Sequence, residues 1–360
     1  MATSFYNVAN NAITTITNNP LSSGGTSITL SAGTGTKFPS TYFLATIWDN
    51  TTYPSNPSGD PNMEVVLIDS RSTDTLTVNA SGRGFASTTA VQHASGSAIA
   101  VLDTKQFEDQ ITTALTTGWI PVADTWTYSS IDNPTGVITI PTNGTTTYSV
   151  GMRIKFTNNG ATHYGIVTAV SATTLTYLGE ISPTSASAGG GTAMLNTFTN
   201  SAITNVYYSH WKNPYGFPAD PRKWTVQFID SVNRQQSSPV NGTWYNPGTS
   251  LLSVPIGAWF LAYKANLYTT KNTATDINIA VTLSTSASSE SDINFTHYAQ
   301  ISAGSSTLSL YMPVSKEKYV AVAAKTVYYL IVKSTLTVAT IAFDAASTGD
   351  TMIVATCAYL

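Results

Sequence analysis

The chain has 360 residues, 42% of them hydrophobic and only 10% charged, with a formal net charge of −3. A length of this kind accommodates two or three domains with cores of their own. The charged share is under half the usual ~25%, and threonine, serine, asparagine and glycine take its place, which excludes long solvated helices and suits sheets with hydroxyl-rich outer faces. No run of basic residues is present, which excludes a dedicated nucleic-acid binder. The single cysteine, Cys357, excludes a disulfide framework and a cysteine-based zinc site, and its apolar surroundings mark it as a small buried hydrophobe. Residues 1–20 lack the basic and apolar regions of a signal peptide, and no apolar run is long enough to span a bilayer, so the sequence implies a soluble cytoplasmic product without membrane insertion.

In chain order, residues 1–20 are polar and asparagine-rich, with Tyr6, Val8, Ile13 and Ile16 as apolar anchors. They suit an extended arm that orders on a partner, or a flexible end. Residues 21–102 form a first β module with strands centred on Ile28, Ile47, Val66, Leu76 and Ala100, interrupted by a proline-containing loop from Asp49 to Asn62. The period then becomes helical over 103–118. Asp103 and Gln106 have the spacing of a capping box, Phe107, Ile111 and Leu115 make a narrow apolar seam, and Gly118 can end the helix. A lone helix with so narrow a seam needs copies of itself or a neighbouring sheet, so these three residues are candidates for a trimer interface.

Residues 119–212 repeat the pattern of the first module. Gly136–Pro141, Gly151–Phe156, Tyr164–Val170 and Thr174–Tyr177 parallel the strands at Ile28, Ile47, Val66 and Leu76. The glycine run Gly189–Gly191 suggests an exposed loop. Residues 213–222 are proline-rich and aromatic, as a linker would be, and 223–360 alternate strongly. Trp224, Val226 and Phe228 share one strand face, Trp259, Leu261, Tyr263, Ala265 and Leu267 another, and further β runs centre on Phe295, Leu310, Val320, Tyr329, Val338 and Val354. So many strands in that span imply two packed sheets, and the apolar run Thr351–Leu360 must be paired inside one of them or buried between subunits. The expected fold is therefore all-β: two small β-barrel or β-sandwich modules joined by a short helix, then a C-terminal jelly-roll-like β-sandwich.

One ordered set of segments carries a resemblance. Thr26–Leu30, Phe38-Pro39, Glu64–Asp69, Thr75–Val78 and the tail of Gly82-Arg83-Gly84, Thr88-Thr89-Ala90, His93 and Gly96 together resemble a small β module of tailed-bacteriophage structural proteins. The segment after Trp119, with Ala202–Ser209 and Asn213–Pro218, is similar to a module of phage minor structural and fibre proteins. The last third resembles, in architecture alone, the trimeric jelly-roll heads of phage fibres and of tumour-necrosis-factor-like proteins. The resemblance implies a virion component, often a fibre or baseplate part; together with the helical seam and the lack of a signal peptide it leads to the expectation of a fibre-like homotrimer assembled in the host cytoplasm. Its arm and first module would contact other virion proteins, and its head would meet a host surface glycan or protein. A non-adhesive head, neck or baseplate decoration is the alternative.

Little in the sequence suggests chemistry. His93, His163, His210 and His297 lie far apart without metal-ligand spacing and suit surface or loop positions. No phosphate loop and no nucleophile elbow is present. A polysaccharide-degrading tailspike needs two facing carboxylates, and Asp230, Asp276, Glu290 and Asp292 have nothing that separates them from solvated charges. The expectation is a protein with no enzymatic activity, cofactor or metal. Binding is better served: Trp244 and Tyr245, in a polar loop, are candidate surface-binding aromatics, and Tyr207, Tyr208, Trp211, Tyr215 and Phe217 are candidate interdomain aromatics.

Overall fold

A computed structural model describes residues 5–122, 124–141, 144–182, 193–271, 275–302, 308–345 and 349–360. It is almost entirely β, as expected, and divides into two compact units, Ser4–Thr117 and Gly118–Leu360. The glycine run at 189–191 lies outside the described residues.

The first unit is a small barrel. Strands β1 (Ile13–Thr15), β2 (Ser27–Thr29), β3 (Thr41–Trp48), β4 (Glu64–Ser72), β5 (Thr75–Val78) and β6 (Ala98–Ala100) lie in the order β1-β6-β3-β4-β5-β2. The ends meet: the Thr17 amide donates to the Thr29 carbonyl at 2.7 Å, the Ser31 amide donates to that of Thr15 at 3.0 Å, and Ile16 bridges to Leu30. Closure removes the open edge on which strands would otherwise aggregate. Alternation fills the interior with Phe43, Ala45 and Ile47 from β3, Val66 and Ile68 from β4, and Ile28, Leu76, Val78 and Ile99. The outward residues Leu44, Val65 and Leu67 are covered by Tyr6, Phe85 and Phe107. Residues from Tyr6 onward are thus not a free arm: Tyr6 is buried, the Asn7 amide donates to the Tyr42 carbonyl, and β1 pairs with β6. Of the apolar anchors in that polar stretch, Tyr6 and Ile16 are buried in the chain's own barrel, while Val8 and Ile13 stay exposed. Helix α1 (Lys105–Thr117) follows, and its first turn is capped by Thr104, whose hydroxyl accepts from the Phe107 amide at 3.4 Å, rather than by Asp103. Gly118, at φ +73°, takes the left-handed position that ends a helix.

The second unit opens with β7 (Ile120–Pro121), β8 (Thr127–Asp132), β9 (Thr135–Thr139), the single turn α2 (Gly144–Thr147), β10 (Arg153–Asn158), β11 (Ala161–Val170), β12 (Thr174–Gly179) and β13 (Ile203–Ser209), in the sheet order β7-β13-β10-β11-β12-β9-β8. The run β13-β10-β11-β12-β9 repeats the first unit's β6-β3-β4-β5-β2, through the segments that the sequence pattern aligns. Register agrees as well. The β4–β5 ladder shifts between Ile68 and Ser70, and the β11–β12 ladder shifts between Val167 and Ala169. Ile28 faces Leu76 as Ile138 faces Leu175. Counting back from the bulge, Glu64 opposite Ile47 corresponds to His163 opposite Phe156.

The remaining strands are β14 (Thr225–Asp230), β15 (Arg234–Ser237), β16 (Leu251–Val254), β17 (Gly257–Lys271), β18 (Ile277–Ser284), β19 (His297–Ile301), β20 (Leu308–Val322), β21 (Thr326–Ser334), β22 (Val338–Phe343) and β23 (Thr351–Cys357). The long β17 pairs with β23 over Trp259–Lys264 and with β22 over Leu267–Lys271, so β23 and β22 are two halves of one interrupted strand. The strands β14 and β15 flank those halves and break at the same level, where the Asp230 carboxylate accepts from Arg234 Nε at 2.6 Å and from the Val232 amide at 3.0 Å. One sheet is then β15-β22-β17-β20, extended by β14 and β23, and the other is β16-β21-β18-β19. Those two interleaved orders are a jelly roll. The inward row Trp259, Leu261, Tyr263, Ala265 and Leu267 fills the space between the sheets, and the Tyr263 hydroxyl donates to the Val281 carbonyl at 2.9 Å. The apolar run at the end sits centrally as β23, with Cys357 buried there and its thiol pushed up to about 11 by burial.

Three local readings differ. Phe295 ends a short 3-10 turn rather than centring a strand, because Asp292 caps Asn294 there. The polar β15 and the short β16 carry too little alternation to announce themselves. Residues 213–222 carry Phe217 into a core that Trp119, Ile166, Leu178 and Ile181 share with Trp224, Val226 and Trp259. Phe217 stacks on Trp224 at 5.0 Å. Arg153, fully buried, joins the same junction by donating to the carbonyls of Lys212 at 2.9 Å and Tyr359 at 2.9 Å.

The sheet of 119–212 has no spare room around Tyr177. A Cβ at Gly165 or at Gly136 would stand 2.6 Å from the Tyr177 ring, which is fully buried. Gly165→Ala is expected to destabilise the second unit by about 1–3 kcal/mol through overpacking, read by thermal unfolding. A second change, Tyr177→Leu, recovers part of that loss. An unchanged melting temperature for Gly165→Ala would contradict this packing.

Candidate functional site

The seam of α1 is split by the structure. Phe107 is half-buried and belongs to the cluster of Tyr6, Leu44, Val65, Leu67 and Phe85, so it serves its own barrel. Ile111 and Leu115 are exposed, at 37% and 68%. The reason is angular: the barrel lies under the first turns, and each later seam residue rotates further from it. None of the helix's side chains is buried, and Gln110 holds a buried side-chain oxygen without a hydrogen-bond partner among the described residues. A cavity of about 530 Å³ opens between Met63, Val65, Ala86 and the first turn of the helix.

Trp244 and Tyr245 are not offered to solvent. Trp244 is 9% exposed and packs on Ala280, Ile331 and Tyr329, with Lys333 Nζ 4.5 Å from its ring centroid. Tyr245 exchanges both backbone hydrogen bonds with Val332, and its hydroxyl accepts from the Val240 amide at 2.9 Å. Their loop folds back because Ala280 and Ile331 point outward from the sheet of β18 and β21 and need cover. The polar Asn-Gly and Asn-Pro-Gly turns around them signal a loop, and they carry no sign of which way its aromatics face.

The other aromatic group divides. Tyr207 packs half-buried against the shared core, with Lys155 Nζ 4.5 Å from its ring and 4.7 Å from that of Trp119. Tyr208 meets Tyr148 edge-on at 5.4 Å, and Phe217 lies under Arg153 at 5.0 Å. Trp211 and Tyr215 stay open at 53% and 80%.

The densest polar arrangement was invisible as a site in the sequence, although its residues are those of the resemblance. The Glu64 carboxylate is fully buried. Its Oε1 accepts from Arg83 Nε and from the Gly84 amide, both at 2.7 Å. Its Oε2 accepts from Arg83 Nη2 at 2.8 Å and from the Val91 amide at 3.2 Å, and lies 3.0 Å from His93 Nε2. Arg83 also donates to the carbonyls of Gly25 at 3.0 Å and Val91 at 2.7 Å. A bidentate arginine and buried amides satisfy every lone pair of this carboxylate, which is what allows a charge to remain inside a protein. The cluster clips β4 to the irregular tail 83–96. His93 and His163 are accordingly buried at 4% each rather than on the surface, and His163 stacks on Phe156 at 5.1 Å. Burial pushes the His163 ring below the ordinary imidazole range.

The carboxylates considered for glycoside chemistry are engaged as structural groups: Asp230 with Arg234, Asp292 with Lys318, Glu290 with Thr296 and Asp276 with Gln300. Among the described residues no three of His, Cys, Asp and Glu group as metal ligands, and no helix is long and apolar enough to cross a membrane.

No family model and no curated protein matches the chain. Among solved structures, one of the infectious bursal disease virus Gx strain is similar at 9% identity and TM-score 0.24, covering 98% of this chain and 74% of that one. A VP2 subviral particle of infectious bursal disease virus is similar at 8% identity and TM-score 0.21, covering 98% and 79%. Likeness at such scores carries no argument about this chain.

Burial alone would raise the Glu64 carboxyl. The hydrogen bonds from Arg83, His93 and the Gly84 amide, with the Arg83 charge, outweigh it and bring the carboxyl from 4.5 down to about 2. A carboxylate lowered in the folded state contributes stability above its unfolded value and loses it as pH falls through the folded one. The contribution is on the order of 3 kcal/mol at ~1.4 kcal/mol per pH unit, lost progressively between pH 4.5 and about 2. The protection of amides in β3 and β4, taken relative to the intrinsic exchange rate at each pH, is therefore expected to fall across that window. Glu64→Gln strands the Arg83 charge, so it should accelerate the same amides at neutral pH and flatten the acid dependence. Indifference of β3 and β4 to the substitution would contradict the clip. Separately, Trp244→Ala is expected to cost about 3–5 kcal/mol as a core truncation, measured by urea denaturation, whereas an exposed ligand-binding residue would cost close to nothing.

Proposed function

We propose that this chain is a structural component of a tailed-phage virion, a fibre-like homotrimer attached through its first β unit and ending in the jelly roll. One observation carries the reading: α1 is a helix none of whose side chains is buried and which displays Ile111 and Leu115 to solvent. Helices this short draw their stability from packing rather than from propensity, and three copies around an axis would cover the seam with itself. The ordered resemblance from Thr26 to Gly96 supports a place on a virion, and the interleaved jelly-roll order supports a compact head. Weak contacts made by three such heads would add by avidity. No enzymatic step, cofactor or metal forms part of this reading.

A non-adhesive decoration is the second reading, and the burial of Trp244 with the partial burial of Tyr245 favours it by withdrawing the aromatics best suited to a ligand. Retention of host cells by the immobilised full chain would separate an adhesin from a decoration.

The trimer is expected to show in light scattering as a mass three times 38.1 kDa. The double change Ile111→Ser with Leu115→Ser should weaken association about tenfold or more, equivalent to ~1.4 kcal/mol. A chain that stays monomeric at the highest soluble concentration would refute the assembly.

A further inference from the structure

The two outer faces of the jelly roll are treated differently by the chain. The face of β18 and β21 is closed by Trp244 and its loop. The opposite face is open at Phe260, Lys264, Tyr311, Glu317 and Tyr319 among the described residues, while Asn266 in its middle is buried and donates to the Gly349 carbonyl at 3.2 Å. Pleating and register place its residues in rows: Phe260 opposite Tyr319, Ala262 opposite Glu317, Lys264 opposite Ser315 and Tyr268 opposite Tyr311. On the other side of β17, Val354 faces Ala262 and Met352 faces Lys264. Phe260, Tyr311 and Tyr319 are 58%, 55% and 55% exposed. The rings pair across strands, Phe260 with Tyr319 at 5.9 Å and Tyr268 with Tyr311 at 4.9 Å. Two aromatic pairs on one sheet face, with Ala262, Met352 and Val354 between them beside polar rows, mark a contact surface rather than singly scattered exposed residues.

The charges say what covers it. Lys316 and Lys318 on β20 point the other way and are used within the chain, on the Thr296 carbonyl and on Asp292. Lys264 and Glu317 remain on the open face, one row apart on adjacent strands, and neither has an ion-pair partner among the described residues. They are one exposed cation and one exposed anion among these rows, which makes the face complementary to itself. The edge is unsuited to strand addition, since Pro313 and the charged stretch Lys316–Lys318 sit on β20. Contact is therefore by face and not by edge.

We infer that the outer face of β17 and β20 is a self-association surface, on which Lys264 of one copy pairs with Glu317 of the next while Phe260 and Tyr319 pack between them. This rests on the assembly reading above and names a second contact for it, away from the α1 seam. The experiment is light scattering and sedimentation of the full chain and its charge variants. Lys264→Glu alone and Glu317→Lys alone are each expected to weaken association about tenfold or more, and the double reversal to restore it. All these side chains are solvent-exposed, so near-ultraviolet circular dichroism should stay at the wild-type spectrum. If the wild-type chain assembles and Ile111→Ser with Leu115→Ser disrupts it, but neither single reversal does, the face is not an interface while the assembly reading stands. If both single reversals weaken assembly and the double does not restore it, the Lys264–Glu317 pairing is wrong. A monomeric wild-type chain sinks both, and glycan binding at Phe260 without change of mass assigns the face to a ligand instead.

Discussion

Every sheet in this protein has an apolar side that water must not reach, and the covering of those sides decides the rest of the structure. The chain has few charges to spend on solubility and many hydroxyls, so its strands bury one face and tolerate water on the other only where threonine and serine line it. The first barrel closes on itself and is roofed by Tyr6, Phe85 and Phe107. The module after it is roofed by the jelly roll, through Trp119, Ile166 and Leu178. The jelly roll folds Trp244 over one of its outer faces. Among the described residues the later turns of α1 and the outer face of β17 and β20 escape this economy, and on the proposed reading a neighbouring copy covers both.

The same logic explains how the two modules differ on one strand plan. Their strand orders, registers and bulges agree, yet the buried position that opens β4 is Glu64 in the first and His163 in the second. Glu64 can stay charged inside because Arg83, two amides and His93 meet it. His163 is surrounded by Phe156 and Phe198 instead, where burial holds it neutral. One module uses a polar clip to fix its irregular tail, and the other uses ring packing.

Much of the fold was legible because alternation is a strong signal in long strands. The row from Trp259 to Leu267 announced its inner face, and the end run announced a buried strand. Legibility failed where the information was not local. The strand Ile13–Thr15 hides in a polar stretch because a barrel needs only a few apolar contacts from it. Trp244 reads as exposed because its loop is polar, while the demand for cover arises from Ala280 and Ile331, dozens of residues away. The outer aromatics of β17 and β20 carry little signal for the opposite reason: Phe260 directly follows the inward Trp259, and alternation says which face is buried and not what the other face meets.

The account turns on α1 being covered by other copies of the chain. Amide hydrogen exchange across Lys105–Thr117 tests this directly, because an uncovered helix with no buried side chain opens freely. Protection well above that of an isolated helix, falling on dilution or with Leu115→Ser, is the result the account predicts. Rapid exchange at every concentration would contradict it.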